Sequence, residues 1–575
     1  MMQLDDTRKQ ILAASGHLLI QGGPGSGKTT IALLKAARTL ETLAAEQHVI
    51  FLSFSRAAVR QISDRVGEHL PLAIRPHLEV RTFHAFFLDF VRSHGHMLTG
   101  TSAVFLAPDG ERQRQADHEG DWDTETIKLA SRGIFVFDQL AATTATLLER
   151  SPALRALYSD RYPLVIVDEF QDTNVDQWRV IQALADTSTV ICLADPDQRI
   201  YEGFVKGVDE ERLQHAVTAL RPTPFDLAGD NHRSAGNGIL DYGNAVLRNS
   251  PAEQPASVQY VRYSFPHTPE VVTHHVIVHL QALLAKQLGR EPTIVVLGPS
   301  SAFVAGISEA VSAEQTVNGT QLPAVDHELV WDPVLAAAAG YVVASILEWP
   351  TLPRDEAITT TLRRIADFYR VKFTDKQAKT ARSSIKATNN AIQAFSDGKT
   401  PRTKTGKSVI VEVDNGIQLT GNPVTDWQLA RARLRGSTEL SEIFDKARML
   451  RLLHATDALA WGLADAWDGQ SSYPGATEIV RRVLADELVD GRPAEPRAVT
   501  LMNMHKSKGK EFDGVIIAEG VHTPKLIDPD WDEKRIIQQR RVIRVAITRA
   551  RHKVFFVRPK NAFPLVPRSQ HPPAS

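Results

Sequence analysis

Apolar runs of four or five β-forming residues recur along the chain, and several are followed by stretches in which apolar positions return every three or four residues. HLLIQ at 17–21 predicts a short buried strand, and TTIALLKAARTL behind it predicts a helix. LVIV at 164–167 and VICLA at 190–194 predict two further buried strands of the parallel kind, which read as continuous hydrophobic runs. EPTIVVLGPSS supplies another strand and a turn, well downstream. From about 351 to 496 the pattern is helical and punctuated by proline, and from 558 onward it is proline-rich without a period, as in a frayed tail. No internal repeat is present, and the alternation points to an α/β fold.

The strand ends carry the chemistry. GGPGSGKT at 22–29 lies between a predicted strand and a predicted helix and follows G-x-x-x-x-G-K-[ST]. Gly22, Gly23, Pro24, Gly25, Ser26 and Gly27 would form the loop, with Gly25 and Gly27 letting the backbone bend so that N–H groups face a triphosphate. The helix, with Thr30 in its first turn, adds its positive end. Lys28 would reach the β- and γ-phosphates, and Thr29 would offer a hydroxyl to Mg²⁺. VDEFQDTN at 167–174 puts two carboxylates at a strand end, where open α/β sheets bind ligands. Asp168 can hold Mg²⁺ while Glu169 orients and deprotonates the attacking water. DPDQRIY at 195–201 repeats the pattern, with Gln198 placed to sense a γ-phosphate or to position water. Tyr201 and Phe204 follow, and aromatic faces there can stack on unpaired bases at about 1–3 kcal/mol each, although such aromatics more often belong to a core.

Those three segments, followed by NHRS at 231–234, HKSKGKEF at 505–512 and RRVIRVAITRA at 540–550, resemble in order the motif set of superfamily 1A DNA helicases of the UvrD/Rep type. The resemblance runs from about 4 to 557. It implies two RecA-like P-loop NTPase domains with parallel sheets, each carrying a mostly helical insertion, and ATP with Mg²⁺ between them. The expected divisions are 1–228 for the first domain, with a small insertion at about 88–155, then 229–350 with 497–575 for the second, and 351–496 for a mobile helical insertion. Residue by residue, the resemblance implies that Arg233 and Arg549 approach the γ-phosphate from the second domain and that Glu511 contacts the ribose. His505 would couple the cleft to the DNA track, and Phe54, Phe83 and His84 would line single-stranded DNA. Three departures stand out. His232 replaces the aromatic that stacks on adenine, which makes stacking weaker and pH-dependent. YEGFVKGV at 201–208 lacks the family's tryptophan–arginine pair, leaving Phe204 to stack and Lys206 to stand in for the arginine. At the adenine-reading glutamine, strict spacing gives Arg8, while Gln10 serves after a small shift.

The implied activity is an ATP-dependent DNA helicase or translocase moving 3′ to 5′ on single strands and unwinding duplex, in repair or recombination or beside a nuclease in defence. Its partners would be single-stranded and partly duplex DNA and a separate nuclease or repair protein. The short stretch after Ala550 leaves no room for the nuclease domain of larger relatives, so the chain itself is expected not to cut DNA. A nucleotide-controlled DNA-binding or sensing subunit that does not unwind stays open, because of His232 and the altered 201–208 segment. A metabolic P-loop kinase would leave the downstream arginine motifs unexplained.

Composition adds bounds. At 575 residues and 43% hydrophobic, the chain has material for several cores. No long apolar run and no basic-then-apolar N-terminus appears in it, so a cytoplasmic protein without membrane partners is expected. The single cysteine, Cys192, sits in a predicted strand, which excludes an internal disulfide, an iron–sulfur cluster or a cysteine zinc site. A net charge of −1 argues against wholesale coating of nucleic acid. Residues 371–408 nevertheless hold nine Lys or Arg against two Asp, which either face duplex phosphates or form a solvated basic surface.

Overall fold

The computed structural model describes the chain except residues 1–3, 107–110, 112–113, 116–117, 119, 201–206, 228–230, 318, 331–332, 377–378, 437–439, 448–454, 491–496, 523 and 568–575. It divides into two compact units, 1–106 with 123–325 and 502–575, and 107–122 with 326–501. Each is described by itself.

The first unit is mixed α/β and holds two RecA-like sheets. One sheet has six parallel strands in the order Leu78–Thr82, Val49–Ser53, Leu164–Val167, Thr189–Ala194, Leu18–Gln21 and Thr223–Asp226. Side-chain alternation along those strands feeds two separate cores. Leu19, Ile50, Leu52, Val165, Val167, Val190 and Cys192 point to one face, among the phenylalanines of helix Phe83–His94. Leu18, Ile20, Val49, Phe51, Leu164, Ile166, Ile191 and Leu193 point to the other, against Ile31, Leu33 and Ala36 of helix Lys28–Leu40. A strand buried on both faces must be apolar at every position, which is why LVIV and VICLA lack polar alternation. The second sheet contributes four parallel strands to this unit, in the order Ile294–Gly298, Phe512–Ala518, Ala550–Pro559 and Val258–Tyr263.

In the first sheet the motif segments emerge at carboxyl ends of strands, whereas in the second Glu511 and Arg549 directly precede strands Phe512–Ala518 and Ala550–Pro559. Gly22 follows Gln21, Asp168 follows Val167, and Asp195 follows Ala194. The strand order reverses around Leu18–Gln21, so the phosphate loop opens where helices leave toward opposite faces, the usual crevice of an open α/β sheet.

The second unit is mostly helical. Helix Pro333–Leu347 packs on Arg354–Lys376, which packs on Lys379–Ser396, around buried Val342, Ile346, Ile358, Leu362, Ile365 and Phe368. Of the basic side chains at 371–408, Lys372 pairs with Glu442 at 2.6 Å, whereas Arg382, Lys386, Lys399, Arg402, Lys404 and Lys407 are exposed. Those of Lys376 and Lys379 lie outside the described side chains. Among the described residues no helix is long and apolar enough to cross a membrane.

Candidate functional site

The loop at 22–29 folds as its glycines require. Gly25 and Gly27 have φ of 78° and 86°, a left-handed backbone that costs a residue with a Cβ about 1 kcal/mol or more. Gly25 is also closed to any side chain, since a Cβ there would stand 2.6 Å from the Cβ of Arg233. The NHRS segment therefore lies directly on the phosphate loop, and the His232 N–H donates to the Gly25 carbonyl at 2.8 Å. Lys28 Nζ donates to the Gly22 and Gly23 carbonyls at 2.5 and 3.1 Å, and burial lowers its pKa against the pull of Asp195, Glu169 and Asp168. Ser26 Oγ is buried without a hydrogen-bond partner.

Opposite the loop, burial and the neighbouring Glu169 charge raise the Asp168 carboxyl to about 7. Burial would raise Glu169 too, but Lys508 and Lys28 hold its carboxyl below the usual range. Glu169 adopts φ 50°, a strained left-handed conformation that turns its carboxylate into the cleft, where Gln171 Nε2 donates to it at 2.6 Å. Gln171 also accepts the Asp195 N–H at 3.0 Å, tying two strand ends together. Thr29 and Asp168 present a hydroxyl and a carboxylate, hard oxygen donors of the kind Mg²⁺ takes. The raised Asp168 pKa marks a place short of positive charge, which fits a cation. Among the described residues no group of three or more His, Cys, Asp or Glu could hold a metal unaided, so phosphate oxygens and water would complete such a set.

Segments of the second sheet close the far wall. Arg549 is buried, its Nη2 donates to Gln198 Oε1 at 3.1 Å, and Gln198 Nε2 donates to Asp195 Oδ2 at 2.7 Å. Burial, with Arg233 nearby, pushes the Arg549 guanidinium down to about 9. Arg233 donates to Glu511 Oε1 at 2.6 Å and to the Thr548 carbonyl at 3.0 Å. Lys508 is 3.4 Å from Glu169 Oε2, bonds Asp172, and donates to the Gln198 carbonyl at 2.8 Å. Together these groups line a cavity of about 410 Å³ with the loop residues 23–30, Phe54 and His232.

Glu511 sits among Arg233, Arg65 and Arg551, the latter two both at 3.2 Å. Against the effect of burial, these three hold its carboxyl down at about 2. A carboxylate lowered from an ordinary 4.5 adds stability that is present above that value and is lost as pH falls toward 2. Glu511→Gln is therefore expected to cost about 1–3 kcal/mol of folding stability at pH 7, after allowing for the partly solvated arginines, and so to lower the thermal midpoint there. The gap to wild type should narrow in melts taken from pH 5 downward. A gap independent of pH would show that Glu511 acts by packing.

Two sequence expectations are corrected. Phe83 is 1% exposed and belongs to the core, 5.1 Å from the Phe54 ring, because Thr82 caps the helix and turns the next residue inward. It cannot stack on a base. Gln10 is exposed, because helix Asp6–Ala13 buries the face of Arg8, Ile11 and Leu12, and two residues beyond Arg8 is nearly the opposite side. Arg8 is the residue at the loop, donating to the Ser26 carbonyl at 2.7 Å and lying 3.2 Å from His232 Nε2. His84 is exposed and His505 half-buried, while Tyr201, Phe204 and Lys206 lie outside the described residues. Lys508, Gln171, Asp172 and Arg65 were not singled out from sequence. For the first three the available signal was their place inside motifs already recognised.

Two RecA-like sheets, a phosphate loop, a paired acid at a strand end and arginines across the cleft define a P-loop NTPase. Comparison then places it within that class. Residues 4–131 and 124–208 match the UvrD/REP helicase N-terminal domain and 463–560 match the UvrD-like helicase C-terminal domain, together more than half of the chain. The chain belongs to the UvrD/Rep-type superfamily 1A helicase family. It is 24% identical over 305 residues to ATP-dependent DNA helicase Rep of Escherichia coli, covering 44% of each chain. It is 26% identical over 298 residues to DNA helicase II of Haemophilus influenzae, covering 43% of this chain and 40% of that one. With ATP-dependent DNA helicase PcrA of Leuconostoc citreum it shares 24% over 294 residues, 43% of this chain and 39% of the other. The chain thus spans less than half the length of these curated relatives.

Proposed function

We propose that this chain is an ATP-dependent DNA translocase that moves 3′ to 5′ on single strands and separates the duplex ahead of it. The observation that carries the reading is the Gln198 side chain, held at one end by Asp195 and at the other by Arg549. A strand-end glutamine of one sheet is thereby linked to an arginine beside the other, across the cavity that the phosphate loop lines. Such a link lets the state of a γ-phosphate set the spacing of two domains.

On this reading 1–228 and 229–350 with 497–575 are the two halves of the motor, and 351–496 is its mobile insertion. The loop N–H groups and Lys28 bind the β- and γ-phosphates of ATP, and Glu169 holds the attacking water in line and takes its proton. Mg²⁺ held by Thr29 and Asp168 would neutralise charge on the phosphate oxygens. Arg233 leaves Glu511 for the γ-phosphate as the cleft closes, and Arg549 approaches through Gln198. DNA would pass by His84 and His505, with exposed basic residues of 382–407 toward duplex. The class is compatible both with repair or recombination and with work beside a separate nuclease, and it does not choose between them.

Steady-state ATP hydrolysis with and without single-stranded DNA, with Lys28→Ala as the blank, tests this reading. Strong stimulation by DNA that is lost in the blank, with displacement of duplex bearing a 3′ tail but not a 5′ tail, is expected. DNA-dependent hydrolysis without displacement on either substrate would identify a nucleotide-controlled binding subunit instead.

A further inference from the structure

Helix Glu533–Ile547 and the turn after it carry three buried arginines, and two of them, Arg540 and Arg549, leave no buried nitrogen without a partner. Arg540 donates to the carbonyls of Val246 and Leu565 and to Asn249, and Arg549 to Gln198 and the Val545 carbonyl. Arg544 differs. Its Nε donates to Asn244 Oδ1 at 2.8 Å, which fixes the guanidinium, yet Nη1 makes no hydrogen bond although the side chain is only 3% exposed. Nη1 lies 3.7 Å from Asp195 Oδ2 and Nη2 lies 3.6 Å from Asp197 Oδ2. Nη2 also stands 4.0 Å from where a Cβ on Gly23 would be, so the guanidinium rests beside the phosphate loop.

Burying a permanent cation with an unmet donor is unfavourable, and an apolar side chain would fill the same space without that cost. Both contacts exceed a charge-assisted hydrogen bond, about 2.7–2.9 Å, by less than about 1 Å. One small approach of the helix to the strand end would therefore complete both. Asp195 Oδ2, the oxygen that Arg544 faces, is the same oxygen that accepts from Gln198 Nε2. Arg544, Asp195, Gln198 and Arg549 thus form a circuit that leaves the helix and returns to the turn after it by way of the opposite sheet.

We propose that Arg544 is a positioning residue for the phosphoryl chemistry. Closure draws its guanidinium onto Asp195 and Asp197, and the fixed Asp195 carboxylate then holds Gln198 in the orientation that meets Arg549 and the transferred phosphoryl group. The role rests on the ATPase reading above, and it concerns kcat rather than nucleotide affinity.

The test is DNA-stimulated hydrolysis by wild type, Arg544→Gln, Asp197→Asn and the double variant, with affinity measured by titration of a fluorescent ATP analogue. Arg544→Gln is expected to lower kcat about tenfold or more, since misplacement near 1 Å is that costly, with affinity within about threefold. Asp197→Asn should lower kcat less, and the double variant should be no worse than Arg544→Gln, because the two act as one pair. Losses that multiply, or equal losses in kcat and affinity, would make the contact merely structural and overturn the proposal. Should Arg544→Gln fail to fold, Asp197→Asn at a 44% exposed carboxylate decides alone, with unchanged kcat overturning the role. A wild type without turnover defeats the ATPase reading and this role with it, whereas an active wild type matched by Arg544→Gln defeats this role alone.

Discussion

Glu169→Gln should retain nucleotide binding and lose about 10³-fold in kcat, the share of a barrier that a positioned general base typically carries. The carboxylate is suited to that work because it stays ionised while buried, with Lys508 at 3.4 Å and the Gln171 amide at 2.6 Å favouring the charged form. Its left-handed backbone turns it toward the cleft, and glutamine, being nearly isosteric, should keep that pose. What glutamine lacks is a lone pair basic enough to take a proton from water. Binding should not weaken and could tighten, because the Glu169 charge is one of the two main reasons the Asp168 carboxyl sits near 7. Removing it makes Asp168 a better oxygen donor. Single-turnover hydrolysis beside titration of a fluorescent ATP analogue separates the two effects. A variant turning over within about threefold of wild type would remove Glu169 from the base role.

How far the molecule could be read from its sequence depends on the distance over which each feature is decided. The strands at Leu18–Gln21, Leu164–Val167 and Thr189–Ala194 were legible because a strand buried on both faces announces itself in four or five consecutive residues. The phosphate loop and Asp168–Glu169 were legible for the same reason, since loop geometry and strand-end placement are local. Glu511 illustrates the opposite case. Its pairing with Arg65 joins positions 446 residues apart, and no pattern around either one encodes the meeting. Lys508 reads as one of three lysines in HKSKGK, and only the fold selects it to reach Asp172, 336 residues away. Phe83 shows how a motif misleads: its place in RTFHAFF is set by a cap at Thr82 that turns it into the core and leaves His84 outside. Arg8 and Gln10 differ by about 200° around one helix, so a two-residue shift in alignment exchanges the face at the loop for the face in solvent.

Arg549→Ala is expected to make the protein less active and more stable at once. Arg549 lies 2% exposed with its guanidinium pushed down to about 9, first by burial and then by Arg233. The charged form is therefore held at a cost to folding, and its hydrogen bonds to Gln198 and the Val545 carbonyl, with longer ones to the Lys510 carbonyl and Thr548 Oγ1 at 3.4 Å, only partly offset that cost. On the proposed reading a γ-phosphate entering the cavity would supply the missing negative charge, an anion that arrives with the substrate. Arginines of this kind contribute about 10³–10⁵ in kcat, and a loss of at least 10³-fold in DNA-stimulated hydrolysis is expected. Alanine also relieves the repulsion on Arg233, so the thermal midpoint without nucleotide should rise rather than fall. The nucleotide-induced rise in midpoint should shrink, because closure loses its partner. Arg549→Lys should recover little activity, since a point charge on a flexible stem cannot hold Gln198 and a phosphate oxygen in one plane. A variant that melted lower than wild type while still hydrolysing ATP would assign Arg549 to the core and leave Arg233 as the cation that answers the γ-phosphate.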